Sequence, residues 1–319
     1  MAVYTAVDEE ALKRFVADYG RGALAAWEGA SEGVENTTYF VSLREGRARR
    51  EYVLTLFEQL DGEAVQAYAG FTAGFAAAGL PVPYPLRDRD GRSWANLAGK
   101  PAILVPRVPG RHPVRPSPAA CRQIGEFLGR AHALALASGW HWKGPRSPAW
   151  LRGLAGELLP RLAGADQALL SSELAFWDHW RDAARELPQA LIHGDLFRDN
   201  SLFQRGRLTG VIDFFSAGTD YLLFDLAVVV NDWCSTASGE LAKERVLSIV
   251  GAYTGVRRLN PDERRLWPAM LRLAALRFWV SRLAASLDSP ATGALLPVRD
   301  PAVYRRILAL RGERMLTFG

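Results

Sequence analysis

Five prolines fall within the thirteen residues PRVPGRHPVRPSP, positions 106 to 118, and this stretch restricts the fold more than any other. Proline fixes φ and has no N–H, so neither a helix interior nor a paired central strand can run through it. It separates two parts of the chain with different periodicities. Before it, a helix capped by Asp8 places Leu12, Phe15, Val16 and Tyr19 on one face and stops at Gly20 and Gly22. Segments 23–30, 36–43 and 51–57 are short and rich in aromatic or β-branched residues, and the turn-prone SEGVEN and REGRARR between them predict an antiparallel meander. A helix over 61–78 ends at Gly79, and Asp90-Gly91 predicts a hairpin into strands near 93–98 and 101–105. Residues 1–105 therefore read as a small α+β lobe, 106–110 as a connection, and 111–319 as a larger, mainly helical lobe. In the larger lobe helical spacing recurs over 117–137, 148–163, 167–186, 221–234, 240–254, 261–287 and 301–315, and strands are predicted at 190–193, 201–204 and 207–212.

Composition excludes several classes. With 49% hydrophobic and 23% charged residues the chain has the make-up of an ordinary globular protein. A net charge of +5 suits a cleft for an anionic ligand, but no concentrated Lys/Arg tract points to nucleic acid. Cys121 and Cys234 belong to no CxxC pair, which argues against a disulfide scaffold or a cysteine zinc site and for a reducing cytoplasm. His112, His132, His141, His179 and His193 show no metal-binding spacing. The first residues carry acids and no apolar block of signal length, and runs such as LAVVV at 226–230 are too short to span a bilayer. Neither export nor a membrane partner is expected, and oligomeric state is left open.

The chemistry is written in ALIHGDLFRDNSLF, 190–203. Asp195 and Asn200 have the D-x-x-x-x-N spacing behind an apolar strand, and after a short hairpin VIDF brings Asp213. Phosphoryl transfer needs one carboxylate at the attacking hydroxyl and hard oxygen ligands for Mg²⁺. Asp195 suits the first role, Asn200 and Asp213 the second. His193 reads as a partner that orients the loop, and Asp225 in FDLA as its buttress.

HGDLFRDN followed by IDFFSAGTDYLLFDLA resembles the catalytic and metal-binding segments of the aminoglycoside phosphotransferase-like kinases, relatives of protein kinases. EGVENTTYFVSL, EYVLTLFE, VNDWC at 230–234 and LRFWVSRL at 276–283 are similar to the homoserine kinases of that fold. The resemblance implies a two-lobed, protein-kinase-like α+β fold, with a small antiparallel-sheet N-terminal lobe and a mainly helical C-terminal lobe. It also implies ATP and Mg²⁺ as cofactors and transfer of the γ-phosphate to the hydroxyl of homoserine, in service of threonine synthesis. The alternatives are another small alcohol (choline, a methylthio sugar or an aminoglycoside) and a nucleotide-binding protein without activity.

On the nucleotide side, SEGVEN with its one glycine, Gly33, falls where such kinases close a hairpin over the phosphates, and it lacks the G-x-G-x-x-G pattern. The resemblance aligns Thr55 with the strand lysine of protein kinases, a charge Thr55 cannot supply; an Arg from 47–50 or Mg²⁺ itself would have to offset the phosphates. Strand alternation puts Val53 on the same face as Thr55, above the adenine. Adenine would pair with the carbonyl of Pro106 and the N–H of Val108, since Pro106 and Pro109 have no N–H. Homoserine is a zwitterion, so its pocket needs a cation and an acceptor. Arg277 and Arg282 are the candidates for its carboxylate, Arg198 competes for that role or the γ-phosphate, and Asn231 and Asp232 are candidates for its ammonium.

Overall fold

The computed structural model describes residues 3–30, 36–288, 299–313 and 316. Backbone contacts divide the chain into two compact units, Met1–Pro109 and Gly110–Gly319. The change of unit falls inside the proline-dense stretch.

The first unit opens with α1 (Glu9–Ala17), whose N-cap Asp8 accepts from the Ala11 N–H at 2.8 Å. Strands β1 (Ala23–Gly29), β2 (Thr37–Glu45) and β3 (Ala48–Leu56) follow, then α2 (Gly62–Ala77), β4 (Ala95–Leu97) and β5 (Lys100–Pro106). They form one antiparallel sheet in the order β1-β2-β3-β5-β4. Leu12, Phe15 and Val16 of α1, with Tyr19 just after it, share a buried core with Val41, Leu43, Tyr52, Leu54 and Leu56 of the sheet. Alternation along β3 then puts Val53 and Thr55 together on the other face. The hairpin into β5 turns at Ala98 and Gly99, both at positive φ, and not at Asp90-Gly91, which forms an earlier turn held by Asp88.

The second unit contains α3 (Pro118–Ser138), α4 (Pro148–Leu158), α5 (Gly164–Ala184), α6 (Leu222–Cys234), α7 (Lys243–Val256), α8 (Pro261–Asp288) and α9 (Pro301–Glu313). Two antiparallel pairs interrupt them: β6 (Gln189–Ile192) with β9 (Gly218–Tyr221), and the hairpin of β7 (Ser201–Gln204) with β8 (Arg207–Val211). The helix expected over 148–163 stops at Leu158 and tightens into a 3-10 turn, because Pro160 cannot donate to the helix. The short strand β9, sequence GTDY, escaped the sequence reading because four residues with Gly and Asp carry no alternation signal. α3 and α7 approach closely at Gly125, where a Cβ would lie 2.3 Å from the Ile249 carbonyl oxygen. The apolar α6, with Leu222, Leu226, Val229, Val230 and Trp233 all buried, runs through the middle of this helical core against α8. No described helix is long and apolar enough to cross a membrane.

Candidate active site

The loop after β6 carries His193 to Asn200, and almost every peptide group in it is held. The Asp225 carboxylate, on the first turn of α6 and fully buried, accepts from the His193 N–H at 2.8 Å and the Gly194 N–H at 2.9 Å. Arg277 of α8 donates to the Gly194 carbonyl. Asn200 Nδ2 donates to the Asp195 carbonyl at 2.8 Å, Trp233 Nε1 to the Leu196 carbonyl at 3.2 Å, and Asp232 accepts the Arg198 N–H at 2.8 Å. Gly194 lies at φ +74, and a Cβ there would stand 3.0 Å from the Ser216 carbonyl oxygen, so the loop root needs glycine for two separate reasons.

His193 ties this loop to the strand before Asp213. Its Nε2 is 3.0 Å from the Ile212 carbonyl, which can only accept, so Nε2 carries the proton. Nδ1 is then the acceptor for the Asp195 N–H at 3.3 Å. Burial depresses the imidazole below its ordinary value, in keeping with this neutral tautomer. Asp213 follows directly in the left-handed region, φ +66, a conformation that non-glycine residues adopt chiefly where the surrounding structure imposes it.

Asp225 is itself oriented from behind. His132 of α3 donates from Nε2 to its Oδ2 at 3.1 Å, and Nδ1 of the same ring takes the Tyr253 hydroxyl at 2.9 Å. Tyr253 accepts from Arg257, which pairs with buried Glu263 at 2.8 Å. Burial works against the Asp225 charge, but the hydrogen bonds from His132 and from the His193 N–H hold the carboxyl below its ordinary value.

Asp195 and Asp213 behave differently. Burial raises the Asp195 carboxyl against the pull of Arg277, Arg146, His193 and Arg299. Burial and then the Asp195 charge push Asp213 up to about 7. Two carboxylates that oppose each other's ionisation favour a cation or a transferable proton between them. Arg146 acts on both and also on Arg277, and it donates to Ser216 Oγ at 2.8 Å. The sequence reading passed over it. No motif marks Arg146; it reaches the site because its segment is pinned to β9 by the Thr219 N–H on the Trp142 carbonyl at 2.7 Å.

The profile of the phosphotransferase enzyme family matches residues 4–291. The chain belongs to this family. Among curated relatives of this phosphotransferase, a homoserine kinase from Pseudomonas aeruginosa (strain UCBPP-PA14) is 39% identical over 314 residues, covering 98% of this chain and 96% of the relative. A homoserine kinase from Methylobacillus flagellatus is also 39% identical, over 308 residues, 97% of this chain and 94% of the relative. Solved structures agree in fold: the amicoumacin kinase hAmiN in complex with AMP-PNP, Ca2+ and Ami superposes with a TM-score of 0.67 at 16% identity, over 96% of this chain and 92% of that one. An aminoglycoside phosphotransferase, APH(4)-Ia in a thermostable apo form, gives 0.63 at 18% identity, over 96% of this chain and 99% of that one. The fold is that of the protein-kinase-like phosphotransferases.

Several side chains of this phosphotransferase lie otherwise than the sequence reading had them. Arg198 and Asp232, taken as separate substrate contacts, hold each other at 3.0 Å, so neither charge is left over. Asn231 is wholly buried, with Nδ2 on the Leu271 carbonyl at 2.8 Å and Oδ1 taken by Arg311 at 3.0 Å, and it has nothing to offer an ammonium. Arg277 is only 3% exposed, with one guanidinium nitrogen on the Gly194 carbonyl, its Nε without a partner, and burial lowering it to about 10. Arg282 does face a cavity, above the Tyr304 ring. In the first unit Arg47, Arg49 and Arg50 are exposed, and Arg49 donates to Ser42 and Glu51 of its own sheet. The Arg107 N–H is taken by the Glu51 carbonyl at 3.0 Å. Gly33 lies outside the described residues.

Proposed function

We propose that this phosphotransferase transfers the γ-phosphate of ATP to the hydroxyl of L-homoserine, giving O-phospho-L-homoserine and ADP. The observation that carries the acceptor is the 39% identity to homoserine kinases over nearly the whole length of both chains. In the reaction the hydroxyl oxygen bonds to the γ-phosphorus, the bond to the β–γ bridging oxygen breaks with its electrons leaving on ADP, and the hydroxyl proton passes to Asp195. Burial raises the Asp195 carboxyl, which makes its ionised form a stronger proton acceptor.

Mg²⁺ fits the residues present. Asn200 spends its Nδ2 on the Asp195 carbonyl and so turns Oδ1 into an available hard donor, while Asp213 is a carboxylate whose charge is opposed by its surroundings until a cation offsets it. No group of three His, Cys, Asp or Glu residues among the described residues could hold a metal alone. An ion held by Asn200 and Asp213 would draw its remaining ligands from phosphate and water. Bound there, Mg²⁺ would neutralise phosphate charge. Arg146 is a further cation beside both carboxylates.

Contacts to the nucleotide are assigned to the first unit: Gly33 to the phosphates, Val53 and Thr55 to the base and its neighbourhood, the Pro106 carbonyl and Val108 N–H to the adenine edge. The engagement of Arg107 within the sheet supports Val108 as the donor. The lobe roles assigned to 1–105, 106–110 and 111–319, a cytoplasmic site and a place in threonine synthesis belong to the same reading; Cys121 and Cys234 are both free thiols, as a reducing compartment allows. Purified protein with ATP and MgCl₂, offered homoserine, choline, a methylthio sugar and an aminoglycoside with ADP release as readout, should turn over homoserine at least ~100-fold faster than the others. Turnover of another alcohol and none of homoserine would refute the acceptor.

A further inference from the structure

The segment between α3 and α4 has no helix or strand of its own, yet it is fastened to β9 and the turn before it. Trp142 donates its N–H to Thr219 Oγ1 at 2.9 Å and accepts the Thr219 N–H at 2.7 Å. Two residues on, Gly144 crosses Gly218 backbone against backbone: a Cβ on Gly144 would lie 2.8 Å from the Gly218 Cα, and one on Gly218 would lie 2.5 Å from the Gly144 Cα. Neither position has room for a side chain. Two residues further, Arg146 Nη1 donates to Ser216 Oγ at 2.8 Å. The segment is thus held from Trp142 to Arg146, and the Arg146 guanidinium is fixed in place by its support.

Ser216 is where the two halves of the site meet. It follows Asp213 by three residues, on the 3-10 turn Phe214–Ser216. Its carbonyl oxygen is what a Cβ on Gly194 would meet at 3.0 Å, so it lies against the residue before Asp195. From there β9 runs alongside β6, with Gly218 opposite Ile192 at the start of the loop. Arg146 is therefore delivered to the side of the site that Asp195 and Asp213 share, and its charge opposes the effect of burial on both carboxyls. Of the other guanidinium groups that bear on Asp195, Arg277 is 3% exposed and donates to the Gly194 carbonyl, and Arg299 is paired with Asp199. Arg146 is only half-buried. A guanidinium has five N–H donors in a fixed plane, and the Ser216 hydroxyl takes one of them.

We propose that Arg146 is a catalytic residue that donates to the γ-phosphoryl group during its transfer. The assignment rests on the reading above, which puts the attacking hydroxyl at Asp195 and the metal ion at Asp213, and deepens it. With those two places fixed, the phosphoryl group passes between the carboxylates, and a cation beside both is beside its path. Transfer spreads negative charge over the equatorial oxygens of that group. A planar guanidinium, set in place before the substrate arrives, matches two such oxygens and offsets a charge that the two carboxylates repel. The bonds made and broken are those of the reaction given above, and Arg146 neither gains nor loses a proton.

The test is the split between kcat and KM in phosphorylation of L-homoserine with ATP and MgCl₂. Arg146→Gln should lower kcat on the order of 10²- to 10³-fold, while the KM for homoserine and the ATP affinity by calorimetry change less than about 3-fold. Arg146→Lys, which keeps the charge and loses the planar fork, should recover about 10-fold of that loss, and it carries the test if thermal melting shows the glutamine variant to be unfolded. Ser216→Ala keeps the guanidinium and removes its anchor, and should cost no more than about 5-fold. A KM for homoserine raised ~10-fold or more with kcat nearly intact would put Arg146 on the acceptor's carboxylate and overturn the proposal. Equal losses in Ser216→Ala and Arg146→Gln would overturn it too, since Arg146 would then act only as a fastening of the segment. Failure of the reading above looks different. Near-normal turnover by Asp195→Asn removes the proton acceptor, whereas a chain that phosphorylates another alcohol and not homoserine is put through the same comparison with that alcohol, because the γ-phosphoryl group is common to every acceptor.

Discussion

The root of the catalytic loop and the cavity beside it share residues only a few positions apart, yet they treat hydrogen bonding in opposite ways. From His193 to Arg198 the peptide groups are met by Asp225, Arg277, His193, Asn200, Trp233 and Asp232. One residue further on, Asp199 leaves an oxygen unmet, as does Tyr304 across the cavity. The group that takes the proton must be in place before the substrate arrives, because reorganisation at the moment of reaction raises the barrier.

The comparison breaks most visibly at Asp195. Asp195→Asn should lower kcat by ~10²- to 10⁴-fold while nucleotide affinity, measured by calorimetry, changes little. Retention of near-normal turnover would remove the proton acceptor from the preorganised loop and with it one side of the contrast. Next in size is stability. Asp225→Ala strands two loop N–H groups and His132 and should cost about 3–5 kcal/mol in urea unfolding. Tyr304→Phe removes a hydroxyl that has no partner and should change stability by less than about 0.5 kcal/mol. Equal losses from the two substitutions would mean that the loop root and the cavity are not built differently after all.

The smallest effect is a pH dependence. The folded His193 imidazole lies below its ordinary value of 6.5, so as pH falls through that value the unfolded chain takes up the proton first. The stability contributed is therefore fully present above about pH 6.5 and is lost as pH falls toward the folded value, with a limiting slope of about 1.4 kcal/mol per pH unit. Urea midpoints between pH 8 and pH 5 should fall more steeply for the wild-type chain than for His193→Asn; parallel curves would show that His193 is not held neutral in the fold.

The loop was legible in the sequence because its geometry is local. Asp195, Asn200 and Asp213 stand at short, fixed offsets around two strands and a tight hairpin, so their convergence follows from spacing alone. The fold class was legible for a related reason: the proline-dense stretch at 106–118 separates strand-period from helix-period segments, and each unit takes the elements its own period dictates. The acceptor side was not. Arg198, Asp232, Asn231 and Arg277 are polar residues near the motif, and the sequence holds no sign that the first two neutralise each other or that the last two are consumed by the core. Arg146 was missed outright because it enters through a pinned loop and no periodicity points to it.

The sequence by itself therefore determined the class of reaction: a carboxylate and an amide five residues apart on one loop, with a second carboxylate returned beside them by a tight hairpin. Only the tertiary structure decided which polar groups around the loop pair with each other. That depends on α6, α8 and α9 packing distant side chains around one cavity, where the partner a charge finds is a matter of which helices meet and not of which residues are neighbours in the chain.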